Sequence, residues 1–79
     1  MKTREIMMKV MHETETEILM RGLRIDLMEK ASQRFEKRGE SLKANIAKAL
    51  MRNEKSLKSY YEGVLAGYKF SLRIMKRRE

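Results

Sequence analysis

The chain has 79 residues, 42% hydrophobic and 38% charged, which suits one domain spanning 1–79, too short for two cores and too apolar for wholesale disorder. Nineteen Lys and Arg against eleven Asp and Glu give a formal charge of +8, so a partner carrying negative charge is the first expectation. Zero Cys excludes a disulfide scaffold, a CxxC redox site and every Cys-based zinc site, and zero Pro with only four Gly favours helix.

From the N-terminus, the apolar run Ile6-Met7-Met8-Lys9-Val10-Met11 is interrupted by Lys9 and ends at His12-Glu13, far short of a signal sequence. No apolar stretch approaches the length of a membrane span, and the chain reads as cytoplasmic. Met7, Val10, Met11, Thr14, Ile18 and Ile25 share one helical face, whereas Met20, Leu23, Leu27, Met28, Ala31 and Phe35 share another. The apolar stripe changes sides near Gly22, a poor helix-interior residue. Two helices are therefore predicted, about 4–19 and 21–37, with a break at Arg21-Gly22; one continuous, curved helix is the competing reading.

The stretch Leu23-Arg24-Ile25-Asp26-Leu27 also alternates with period two, as a half-buried strand does. With Gly39-x-Ser41 and Ile46 and Ala49-Leu50 downstream, it resembles the ribbon-helix-helix DNA-binding domains over about 30 residues. That resemblance implies a dimer whose paired strands enter the major groove. The stretch between Leu27 and Gly39 is about one helical turn shorter than in that family, and Asp26 stands where the family favours polar or basic groups that face the groove.

Lys37-Arg38-Gly39-Glu40-Ser41 reads as a boundary: cations completing a last turn, a Gly suited to the left-handed conformation, then Ser as N-cap. Beyond it a long helix is predicted over 41–76, roughly 50 Å at 1.5 Å per residue. Leu42, Ile46, Leu50, Leu57, Tyr60, Tyr61, Val64, Tyr68 and Met75 fall within one arc, with the tyrosines expected in the core. Asn53 and Ser71 interrupt that seam. Asn53 is expected to fix register as a buried Asn does in coiled coils, or else to cap a new helix at Glu54. Gly63 and Gly67 form a GxxxG that admits close approach of another backbone.

The opposite arc carries Lys48, Arg52, Lys55, Lys58, Lys69, Arg73, Lys76 and Arg77, with Glu62 intervening. Residues 1–40 hold 9 cations and 8 anions, residues 41–79 hold 10 and 3, so the surplus belongs to the last helix. Phe70 and Met51 project beside the basic row, adding an aromatic or apolar contact to the charge.

Catalytic inventory is thin. The only His, His12, shares a helix with Glu13, Glu15 and Glu17, which reads as a solvated acidic patch rather than a metal site. No phosphate-cradling glycine loop or serine elbow is present, so neither an enzyme nor a cofactor or small-molecule substrate is expected.

The expected architecture is all-α: three helices forming a hairpin or bundle, completed by homodimerisation because a chain this small lacks metal or disulfide staples. Met7, Met11, Ile46, Asn53, Leu57, Val64 and Phe70 are the expected partner or oligomer contacts. The expected function is a small non-enzymatic regulatory or architectural protein whose eight-cation arc binds a DNA or RNA backbone. The alternative is an adaptor or inhibitor of the phage or mobile-element type, docking a helix face onto a larger, acidic host protein. A membrane surface ranks below both.

Overall fold

The computed structural model describes residues 2–78, and over these the chain is an all-α hairpin of two antiparallel helices, α1 (Lys2–Lys37) and α2 (Ser41–Arg78). The expected break at Arg21-Gly22 does not occur, so there are two helices where three were predicted. Leu23 to Leu27 are helical, and no strand exists among the described residues, which removes the ribbon of a ribbon-helix-helix domain.

One 3-4 repeat explains why α1 runs straight through. Met7, Met11, Thr14, Ile18, Arg21, Ile25, Met28, Ser32 and Phe35 are all buried or half-buried, and their alternating spacing of three and four is the heptad of a coiled coil. The seam continues past Gly22, where the loss of about 1 kcal/mol to a helical glycine is spread over a 36-residue element. The Lys58 Cε lies 4.0 Å from where a Gly22 Cβ would stand, so this position also accommodates a long side chain from α2. The apparent change of stripe has a different cause from a break: Met20, Leu27 and Ala31 form a second row flanking the seam, and Leu23 points to the back of the helix. Period-two alternation at Leu23, Ile25 and Leu27 places Ile25 in the seam and Leu23 and Leu27, one turn apart, on the exposed side of α1.

The turn is a Schellman motif. Gly39 has φ of +74°, its N–H donates to Glu36 O at 3.1 Å, and Glu40 N–H donates to Phe35 O at 2.8 Å. Glu40, not Ser41, is the N-cap of α2: Ala44 N–H donates to Glu40 O at 3.0 Å, and the Glu40 carboxylate sits at the positive end of the new helix dipole. The Gly that ends α1 thus hands directly to the residue that begins α2.

The α2 seam mirrors that of α1 through Ala44, Ala47, Met51, Glu54, Lys58, Tyr61, Leu65, Tyr68, Leu72 and Met75. Small residues bring the helices closest near the turn, where Ala44 is 1% exposed, Ala47 7% and Ser32 4%. Hydroxyls buried in the seam are satisfied on their own helix: Thr14 Oγ1 donates to Val10 O and Ser32 Oγ to Glu29 O, both at 2.8 Å. No large side chain among the described residues is fully enclosed.

Candidate functional site

The two seams divide the rest of the hairpin into two faces, one with an uncharged row along α2 and one rich in charge on both helices. On the side of the uncharged row a groove near the turn brings Ala31 of α1 together with Lys43, Ile46 and Leu50 of α2, with the Lys43 ammonium 5.9 Å from the centre of the Phe35 ring. Continued at heptad spacing along α2, this row reads Ile46, Leu50, Asn53, Leu57, Tyr60, Val64, Gly67, Ser71 and Ile74, without one charged residue in a chain that is 38% charged. On the charged side Glu29 and Glu36 of α1 lie with Lys48 and Arg52 of α2, and nearer the chain ends Lys69, Arg73 and Lys76 border Met11.

The eight predicted cations separate into groups. Lys48 forms an ion pair with Glu36 across the hairpin. Lys58 lies in the seam, half-buried, with its ammonium 3.6 Å from Glu62, so its assignment to the outer basic row is corrected. Arg77 falls on the back of α2. Arg52, Lys55, Lys69, Arg73 and Lys76 share the charged face and have no ion-pair partner among the described residues. The row is less one-sided than α2 alone suggests, because Glu15, Asp26, Glu29 and Glu36 of α1 occupy the same face.

One group of cations is assembled by topology. An antiparallel hairpin sets the start of α1 beside the end of α2, so Lys2, Arg4 and Lys9 join Lys69, Arg73, Lys76, Arg77 and Arg78 at the open end, with Glu5 the acid of the first turn. Lys2, Arg4 and Lys9 went unassigned in the sequence because residues 1–40 are nearly neutral in sum. The Gly39 turn was the signal, since it dictates that the two chain ends meet.

The predicted interface residues scatter. Met7 and Met11 belong to the seam between α1 and α2. Ile46, Asn53, Leu57 and Val64 lie on the face of the uncharged row, and Phe70, 61% exposed, lies on the back beside Arg77. Helix α2 continues through Asn53, so Asn53 caps nothing. Met51, expected beside the basic row, is in the seam, and Tyr60, expected in the core, is 65% exposed with its ring edge-on to Tyr61 at 5.4 Å. Both corrections have one origin: α2 carries two adjacent apolar rows, and only one of them faces α1. Nothing within the hairpin approaches Gly63 or Gly67.

The centre of the seam is ionic. Arg21 Nη1 donates to Glu54 Oε2 at 2.9 Å, Arg21 Nη2 lies 2.8 Å from Glu17 Oε1, and the guanidinium stands 5.1 Å from the centre of the Tyr61 ring. Burial by itself lowers the Arg21 pKa, but the hydrogen bond and charge of Glu54, with smaller contributions from Tyr61 and Glu17, carry it above its ordinary value. Arg21 is therefore a fixed cation of the fold. Arg21 Nε, enclosed, has no hydrogen-bond partner among the described residues.

No group of three or more His, Asp or Glu among the described residues is placed to hold a metal ion. No helix among them is long and apolar enough to cross a membrane. No protein-family model, no curated protein and no solved structure matches this chain.

Proposed function

We propose that this chain is a small non-enzymatic protein that binds the phosphate backbone of nucleic acid through the basic open end of the hairpin and the cation row running back from it along α2. The observation that carries the reading is the set of cations without an acid partner among the described residues, Arg52, Lys55, Lys69, Arg73 and Lys76, on one side of a continuous helix. Lys69, Arg73 and Lys76 follow one another at four and three residues, about 6 and 4.5 Å of rise, against one phosphate per roughly 3.4 Å of each DNA strand.

Such a surface positions a duplex or single strand without reading bases, so binding is steeply salt-dependent and nearly indifferent to sequence. The acids of α1 on the same face hold affinity down at mid-hairpin and concentrate it at the open end. Charge reversal of Arg52, Lys55 and Arg73 tests this directly in a gel shift at low salt. Loss of binding to duplex DNA and to single-stranded RNA is expected. Binding left intact overturns the reading and directs attention to an acidic protein partner.

A further inference from the structure

The face that carries the uncharged row of α2 is open to an occupant, and we infer that it is a second copy of this chain, packed by a two-fold axis that crosses both helices at mid-length with the two turns at opposite ends. This inference stands independently of the nucleic-acid reading. Among the described residues of one hairpin only Ala44 and Ala47 are buried hydrophobic residues, while Leu27, Ile46 and Leu50 stand about half or more exposed on one side. The molecule measures 61 by 15 Å across that face, a footprint of about 900 Å², close to the roughly 800 Å² per partner of a stable interface.

The charges on the face choose the partner and its direction. On α2 the row from Ile46 to Ile74 has none, which suits neither phosphate nor an acidic protein. On α1 the same face carries Glu13, Glu17, Arg24 and Arg34; Glu17 is paired with Arg21, whereas Glu13, Arg24 and Arg34 are exposed and without an ion-pair partner among the described residues, Arg34 lying near the turn. Reversing α1 about the point between Ile18 and Leu19 sets Glu13 against the partner's Arg24, and Val10 against the partner's Leu27. Acid meets base and apolar meets apolar.

The same axis must also relate α2 to its copy, and the hairpin's own register shows where. Arg21 contacts both Glu54 and Tyr61, so its level lies midway between them on α2. The point between Ile18 and Leu19 is about two and a half residues before Arg21, which on the antiparallel helix falls at Tyr60. Centring α2 on Tyr60 places Ile46 against the partner's Ile74 and Asn53 against the partner's Gly67, with Leu57 within one residue of the level of the partner's Val64. Gly67, which nothing within one hairpin approaches, gains its neighbour. The other two-fold packing, with α1 over the partner's α2, would leave Glu13 and Arg24 facing an uncharged row.

Light scattering on the full chain is expected to give twice its 9.4 kDa mass at micromolar concentration. Glu13→Arg and Arg24→Glu each change both copies of the pair, and each is expected to weaken the dimer by about tenfold, with the double exchange restoring it. Because the chain has no cysteine, single-cysteine variants give a second readout that needs no destabilised protein. Tyr60→Cys at the axis is expected to oxidise to a covalent dimer, and Ser59→Cys on the charged face to remain monomeric in denaturing gels. A wild-type mass of one chain, a larger assembly, equal cross-linking of the two variants, or no rescue by the double exchange would each overturn the inference.

Discussion

Arg21 Nη1 donates a 2.9 Å hydrogen bond to Glu54 Oε2 across the middle of the hairpin, where coiled coils ordinarily place leucine or isoleucine. The side chains are 13% and 14% exposed, and Glu17 and Tyr61 complete the surroundings of the guanidinium. A partly buried ion pair of this kind contributes less to net stability than to choice of register, because sliding α2 by one heptad would separate the charges.

The first expectation concerns that pair. Arg21→Leu strands the Glu54 carboxylate in the seam, and the urea midpoint should fall. The Arg21→Leu, Glu54→Leu double variant should lie above the single one, at or near wild type. A double variant less stable than Arg21→Leu would show that the pair is a net source of stability, contrary to this account.

Glycines at different places should respond with opposite signs. Gly39→Ala forces a Cβ into φ of +74° and should destabilise by about 1 kcal/mol, whereas Gly63→Ala meets open space within a helix and should stabilise by about 0.5–1 kcal/mol. Urea denaturation of both variants measures the difference.

Close packing near the turn makes a third test. Ala44→Leu adds three carbons where the residue is 1% exposed, so a loss of about 1–3 kcal/mol is expected. Ala49→Leu, at an exposed position of the same helix, should be neutral within about 0.5 kcal/mol.

Much of this fold is readable in the residues, and the parts that are not have a common physical origin. Gly39 between Lys37-Arg38 and Glu40-Ser41 marks the turn, because one residue with left-handed φ closes α1. The length and continuity of α2 follow from its periodicity. The continuity of α1 was hidden because Arg21, Thr14 and Ser32 are polar members of the seam, while Met20 and Leu27 are apolar residues outside it. A reading that assigns burial by hydrophobicity follows the wrong row. The same inversion displaced Tyr60 and Met51 in α2. The candidate site was legible as a row on one helix; its extension at the open end, where the first turns of α1 with Lys2 and Lys9 come level with the last turns of α2 with Lys69 and Lys76, exists only once the chain folds back on itself. The acids that temper the row, Glu29 and Glu36, belong to the other helix and enter by the same route.

The central claim is that cations at the open end and along α2 hold a phosphate backbone, and the salt dependence of affinity tests it most directly. The logarithm of the binding constant for mixed-sequence duplex DNA should fall linearly with the logarithm of salt concentration. Replacing Lys69, Arg73 and Lys76 with Ala should flatten that slope by about 0.9 for each cation that engages. Absence of binding at low salt, or a slope unchanged by the triple replacement, would contradict the account.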